Sequence, residues 1–279
     1  MLNYLYTAFL GLVQGIAEFL PISSSGHLSL FQNFFGLQSA EESNLFLDVV
    51  LHLGTLISVF IYYWHDIVSM VQEFFRGCVA LVHPDPAEKE PPAARRMVLL
   101  VIVGTIPLFA ILPIKKYIDN LYNNTWFIAC ALLVTGCLLF ISDRLSKGHK
   151  TERSVSLVDI LLVGCAQAVA TVPGLSRSGS TISAAMLLGC RRDFAVRYSF
   201  LMSIPAVIGA NILSLADAVK AGIDWSMMPA YLVGVIVAAV SGYFAIRLVN
   251  SFANKGKFGK FAYYCWGAGI LALILSAVL

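Results

Sequence analysis

The chain has 279 residues, of which 58% are apolar and only 13% charged, too little charge to coat a water-soluble globule of this size. Lipid is therefore the expected solvent for most of its surface. The formal net charge of +3 is spread over short loops instead of being massed in a patch or tail, which argues against nucleic acid as a partner.

A helix that crosses a bilayer needs about 20 predominantly apolar residues at about 1.5 Å each. The first apolar stretch, residues 2–36, fails that test, because Glu18, Pro21 and the run Ser23-Ser24-Ser25 interrupt it. About ten residues remain before Gly36, enough for about half a bilayer. We read the stretch as a re-entrant helix pair that returns to the face it entered. Met1 to Ala17 hold no Lys or Arg ahead of the apolar run, so the segment is expected to be retained and not cleaved as a signal peptide.

This first break concentrates chemistry-bearing residues. Gln14 and Glu18 are four apart and share a helix face, where they can hold a metal ion or a phosphate-bound water. A carboxylate at membrane depth is costly, by about 3 kcal/mol or more at the bilayer centre, and so marks a functional site. Ser23, Ser24, Ser25 and Gly26 place hydroxyls and free backbone N–H groups where a new helix begins, a natural anion cradle. His27 can take up or donate a proton near neutral pH.

The next run, residues 45–64, is long enough to span, and carries Asp48 and His52 on one face, where a supporting polar contact or a proton path is expected. Ile67 to Val82 is amphipathic and reads as an interfacial helix, followed by a solvated linker from Pro84 to Arg96. Spans are predicted at 97–114 and 126–142. Residues 160–190 then repeat the broken pattern: Pro173, Gly174 and Ser176-Arg177-Ser178-Gly179 interrupt a second re-entrant pair that ends at Gly189. Arg177 is the one basic residue placed inside a membrane-depth loop, and its planar fork matches phosphate oxygens. Something anionic must face it. Three more spans, 199–216, 229–246 and 261–279, complete the chain.

With six crossings, fifteen of the 19 Lys and Arg residues fall on one face and three (Lys115, Lys116, Lys220) on the other. The bias places both termini outside. A shift of 153 residues superposes the two breaks without a gap, matching Gly11 with Gly164, Gln14 with Gln167, Ser23 with Ser176, Ser25 with Ser178, Gly26 with Gly179 and Gly36 with Gly189. The expected architecture is an all-α polytopic membrane protein in a single domain: six transmembrane helices and two re-entrant helix pairs. The two repeats, about 1–145 and 155–279, are related by inverted topology, and such breaks meet near the midplane to build a polar site. The six cysteines sit mostly in apolar runs without paired C-x-x-C spacing, and read as small hydrophobes. No zincin, nucleotide-triphosphatase or dinucleotide-binding motif is present.

Gln14-x-x-x-Glu18, the following Phe19-Leu20-Pro21-Ile22-Ser23-Ser24-Ser25-Gly26-His27 and the later Pro173-Gly174-Leu175-Ser176-Arg177-Ser178-Gly179 resemble the undecaprenyl-diphosphate phosphatase family, also called bacitracin-resistance proteins. The similarity covers essentially the whole chain. It implies removal of the terminal phosphate from a polyprenyl diphosphate in the bacterial plasma membrane, dependence on Mg²⁺ or Ca²⁺, and catalytic roles for Glu18, Ser24, His27 and Arg177. Ser23, Ser25, Gly26, Ser176, Ser178 and Gly179 would bind substrate, and Glu18 with Gln14 would hold the metal. Gln14 stands where Glu is also common, so a two-carboxylate metal site is not expected. Ser24 with His27 as its base, a His27 nucleophile, and a water activated by Glu18 and metal all remain open. The site is expected to open to the periplasmic or extracellular side, and a homodimer is an allowed assembly. A polyprenyl-phosphate transporter using the same inverted repeat is the alternative function.

Overall fold

The computed structural model describes residues 2–35, 41–82 and 90–278, so Gly36, His83 and most of the linker after it lie outside the described residues. Helix α1 (Leu2–Phe19) stops ahead of Pro21, since the residue preceding a proline is pushed out of the helical region. The chain turns at Ser23, whose φ of 69° is the one positive value among the described non-glycine residues, and restarts as α2 (Ser24–Phe35). The second break uses the same device. Helix α8 (Leu157–Val169) ends before Pro173, the chain turns through Gly174, and α9 (Arg177–Leu187) begins behind Ser176. In both, the serine ahead of the new helix accepts the N–H of the glycine three residues on: Gly26 N donates to Ser23 Oγ at 3.2 Å and Gly179 N to Ser176 Oγ at 3.1 Å.

Between and after the breaks lie six helical segments long and apolar enough to cross a membrane, matching the six predicted runs. They are α3 (Glu41–Tyr62), the segment from α5 (Ala93–Thr105) to Asn123, α7 (Thr125–Leu145), α10 (Arg192–Ala221), α11 (Met228–Asn254) and α12 (Phe261–Val278). One of them is not a continuous α-helix. Pro107 and Pro113 each remove an N–H donor, and Ile106–Ile114 winds as 3-10 helix before the short α6 (Lys115–Asp119). Helix α4 (Trp64–Val82) carries the expected interfacial character: Val71, Phe74, Phe75 and Val79 are exposed, while Glu73 is buried against Arg95 at 3.0 Å. Large apolar side chains such as Leu162, Ile236 and Ile270 are exposed on the remaining helices, as a lipid-facing surface requires.

The core lies around the two breaks. Phe19, at the end of α1, sets its ring edge-on to Phe200 of α10 at 5.5 Å, and Ile182 of α9 is fully buried nearby in the same cluster. The packing is reciprocal in a way compatible with inverted repeats: α1 packs on α11 and α8 packs on α5, while α3 pairs with α10 and α7 with α12. At the first two contacts backbones touch. A Cβ on Gly11 would lie 2.4 Å from the Gly234 carbonyl oxygen, and one on Gly164 would lie 2.4 Å from that of Gly104. Gly11→Leu is therefore expected to destabilise the protein by about 1–3 kcal/mol, seen as a lower melting temperature in detergent. Gly209→Leu, where a Cβ meets nothing within 4 Å, is the control and should leave it unchanged.

Loop charges of neighbouring segments pair with one another. Lys150 binds Asp159 at 2.8 Å, Arg192 pairs with Asp143, and Arg197 bridges Glu152 at 3.0 Å and Asp66 at 3.5 Å. The hydrogen bond from Lys150 holds the Asp159 carboxyl below the usual aspartate range against its partial burial.

Candidate active site

About one turn of α1 separates Gln14 from Glu18 and puts both on one face, and the Gln14 amide Nε2 donates to Glu18 Oε2 at 3.2 Å. The Glu18 side chain is 8% exposed, so a bare charge there would be prohibitive. Its other oxygen, Oε1, receives the Arg177 guanidinium from the start of α9. The anion expected to face Arg177 is thus Glu18, 159 positions away in sequence. Ser24, first residue of α2, adds a hydroxyl that donates to Glu18 Oε2 at 3.2 Å. From α3, His52 places Nε2 at 3.9 Å from the same oxygen. Its Nδ1 donates to the Asp48 carbonyl oxygen at 2.8 Å, which holds the ring with Nε2 turned toward Glu18.

The two breaks abut directly. A Cβ on Gly26 would sit 2.8 Å from Cα of Gly174, which itself has φ +89°. Ser178 Oγ donates to the Leu20 carbonyl at 3.4 Å and pairs with Ser176 Oγ at 3.2 Å. Thr135 of α7, fully buried, fixes the second turn: its hydroxyl donates to the Gly174 carbonyl at 3.1 Å and accepts the Ser176 N–H at 3.3 Å. Sequence reading gave Thr135 no role, because nothing local distinguishes a threonine within an apolar span.

A cavity of about 590 Å³ opens beside this cluster. Glu18, Ser23, Ser24, Ser25, Ser176 and Arg177 form its polar end. Its other walls are largely hydrocarbon: the proline-bounded 3-10 segment (Leu108, Phe109, Leu112) faces α10 at Pro205, Ala206 and Leu213. Ser25 hydrogen-bonds the Tyr122 phenol, and Lys115, Asp119 and Tyr122 also line the space. A headgroup end joined to an apolar trough accommodates an anionic amphiphile.

Not every predicted residue faces this cavity. Gly26, Ser178 and Gly179 pack the seam between the breaks instead of lining the space, and Gln14 reaches it only through Glu18. His27 is also absent from the lining. Its Nδ1 donates to the Ser23 carbonyl at 2.8 Å, its Nε2 meets the Tyr264 hydroxyl at 2.9 Å, and its ring stacks on Tyr264 at 5.5 Å. Both nitrogens are committed, and the acceptor for the Ser24 proton in this arrangement is Glu18. The imidazole within reach of the cluster is that of His52.

The family model described as bacitracin resistance protein BacA matches residues 7–271. An undecaprenyl-diphosphatase of Halothermothrix orenii is 42% identical over 271 residues, 97% of each chain. One from Methanosphaera stadtmanae is 40% identical over the full length of both chains. Undecaprenyl-diphosphatase 4 of Bacillus thuringiensis subsp. konkukian is 37% identical over 99% of this chain and 98% of that protein.

Proposed function

The chain belongs to the bacitracin resistance protein BacA family, and from that premise we propose that it is a multi-pass membrane phosphatase hydrolysing undecaprenyl diphosphate to undecaprenyl phosphate and inorganic phosphate. The product is the lipid carrier returned to cell-wall synthesis. One observation carries the reading: a carboxylate, a hydroxyl and a guanidinium (Glu18, Ser24, Arg177) meet at the polar end of a cavity whose remaining walls are largely hydrocarbon. The prenyl tail lies along the α10 wall, and the diphosphate meets Arg177 and the start of α2.

In this reading Ser24 is the nucleophile. Its Oγ attacks the terminal phosphorus while its proton passes to Glu18 Oε2, and the bond from that phosphorus to the bridging oxygen breaks, releasing the lipid phosphate. Water then cleaves the serine phosphoester. The Arg177 fork holds the phosphoryl oxygens on which charge develops. His52 supports Glu18, and His27, clasped by Tyr264, fixes the backbone at Ser23.

Glu18 and Arg177 neutralise one another, so an arriving diphosphate brings negative charge that this end of the cavity does not offset. A divalent cation, Mg²⁺ or Ca²⁺, suits the hard oxygen donors of Glu18 and the Gln14 amide. No group of three or more His, Cys, Asp or Glu able to hold a metal occurs among the described residues, so Glu18 and the Gln14 amide would be the side chains that hold such an ion. When bound, such a cation supplies charge neutralisation at the phosphoryl oxygens. Lys115, Asp119 and Tyr122 lie at the end of the second span, on the face the loop charges assign to the outside, which supports a site open to the periplasmic or extracellular side with both termini there.

Purified protein given a polyprenyl diphosphate should release phosphate in a cation-dependent manner, and Ser24→Ala should lower the rate by about 10³-fold or more. Wild-type turnover in Ser24→Ala would exclude the serine as nucleophile. Labelled lipid crossing a vesicle membrane with no phosphate released would support transport instead.

A further inference from the structure

Gln167 of α8 lies where the 153-residue shift places Gln14, but its surroundings differ. Gln14 spends its amide on Glu18, four residues on. Four residues after Gln167 stands Thr171, whose hydroxyl donates back to the Ala168 carbonyl at 2.8 Å and offers Gln167 nothing. The Gln167 side chain is 1% exposed, and neither Nε2 nor Oε1 has a hydrogen-bond partner among the described residues. Buried amides are almost always paired, because an unpaired one forfeits its hydration without return. Gln167 nonetheless sits in the wall of the same cavity as Glu18, Ser24 and Arg177, one turn ahead of the second break.

We infer that Gln167 is a substrate-contacting residue: when the headgroup enters, its buried amide turns into the cavity, Nε2 donates to a phosphoryl oxygen of the diphosphate, and Oε1 accepts from a hydroxyl or water bound beside it. The inference rests on the phosphatase reading for the identity of the headgroup. Chemistry favours the anion over the tail, since the amide is a neutral donor in the wall of a cavity that the Arg177 guanidinium also lines, and a hydrocarbon would leave it unpaired. The two repeats then contribute differently despite their common pattern. Gln14 orients the carboxylate, whereas Gln167 is held in reserve for the ligand.

Gln167→Met removes both polar atoms at nearly constant volume, and a residue that was only an unpaired structural amide would be replaced at no cost to turnover. The expected result is a KM for polyprenyl diphosphate raised about tenfold or more, with an unchanged or higher melting temperature in detergent. Gln167→Glu, which sets a carboxylate against the phosphate, should lose more in kcat/KM than Gln167→Met. Inorganic pyrophosphate should raise the melting temperature of the wild type and fail to do so for Gln167→Met. Kinetic constants of Gln167→Met within about twofold of wild type, with pyrophosphate protection retained, overturn the inference. A wild type that is protected by pyrophosphate but releases no phosphate from the lipid overturns the phosphatase reading instead, and the protection assay still decides on Gln167.

Discussion

Arg177→Ala is expected to lower kcat/KM for polyprenyl diphosphate by about 10³-fold or more, the loss seen when a charge-stabilising donor is removed from a site that excludes water. Arg177 is the single guanidinium in the polar end of the cavity and is already hydrogen-bonded to Glu18. Its removal also strands the Glu18 carboxylate, 8% exposed, with only the neutral donors Gln14 and Ser24 and the more distant His52. Breaking a buried ion pair in this way costs about 3–5 kcal/mol of stability, so the activity must be read beside a melting curve. Arg177→Lys separates the two effects. It keeps the positive charge, and much of the stability, while losing the planar fork, so the folded variant should still be slow. A folded Arg177→Lys with wild-type kcat/KM would show that bidentate geometry is not needed.

Glu18→Gln is expected to lower kcat by about 10²–10⁴-fold, the range for a positioned proton acceptor. The change preserves volume and hydrogen-bonding capacity toward Gln14 and Ser24, but removes the basic oxygen that Ser24 Oγ addresses at 3.2 Å. It should also weaken the response to Mg²⁺ or Ca²⁺, read as a higher cation concentration for half-maximal phosphate release. Because Glu18 and Arg177 act on the same phosphoryl group, the double variant Glu18→Gln/Arg177→Ala should lose far less than the product of the two single losses. Multiplicative losses would mean that the two side chains serve separate sites.

Much of this arrangement was legible in the sequence. The six spans were readable because each is an apolar run long enough to cross, and the breaks because Pro21, Pro173 and Gly174 fall beside polar serine runs that shorten the apolar stretch. That an anion faces Arg177 followed from the expense of leaving a charge alone at membrane depth, and the structure places Glu18 there. What escaped depends on contacts between distant segments. The direction of the His27 ring is set by Tyr264, 237 positions later, which its three neighbouring serines do not reveal. His52 looked like a supporting residue of its own span, and approaches Glu18 only because α3 packs across α1. The run 97–114 read as one helix able to absorb its prolines, but Pro107 and Pro113 together convert its second half to 3-10 winding, which forms a cavity wall. Gln167 read as a repeat identity, and nothing in the sequence shows that its amide lacks a partner.

The most direct measurement is an experimental structure of the protein in lipid or detergent with inorganic pyrophosphate or a non-hydrolysable polyprenyl diphosphate bound. The account predicts a phosphoryl group held by the Arg177 guanidinium, with Ser24 Oγ in line behind the phosphorus and Glu18 against that hydroxyl. A headgroup bound away from both breaks, or Arg177 and Glu18 lying in separate cavities, would contradict it.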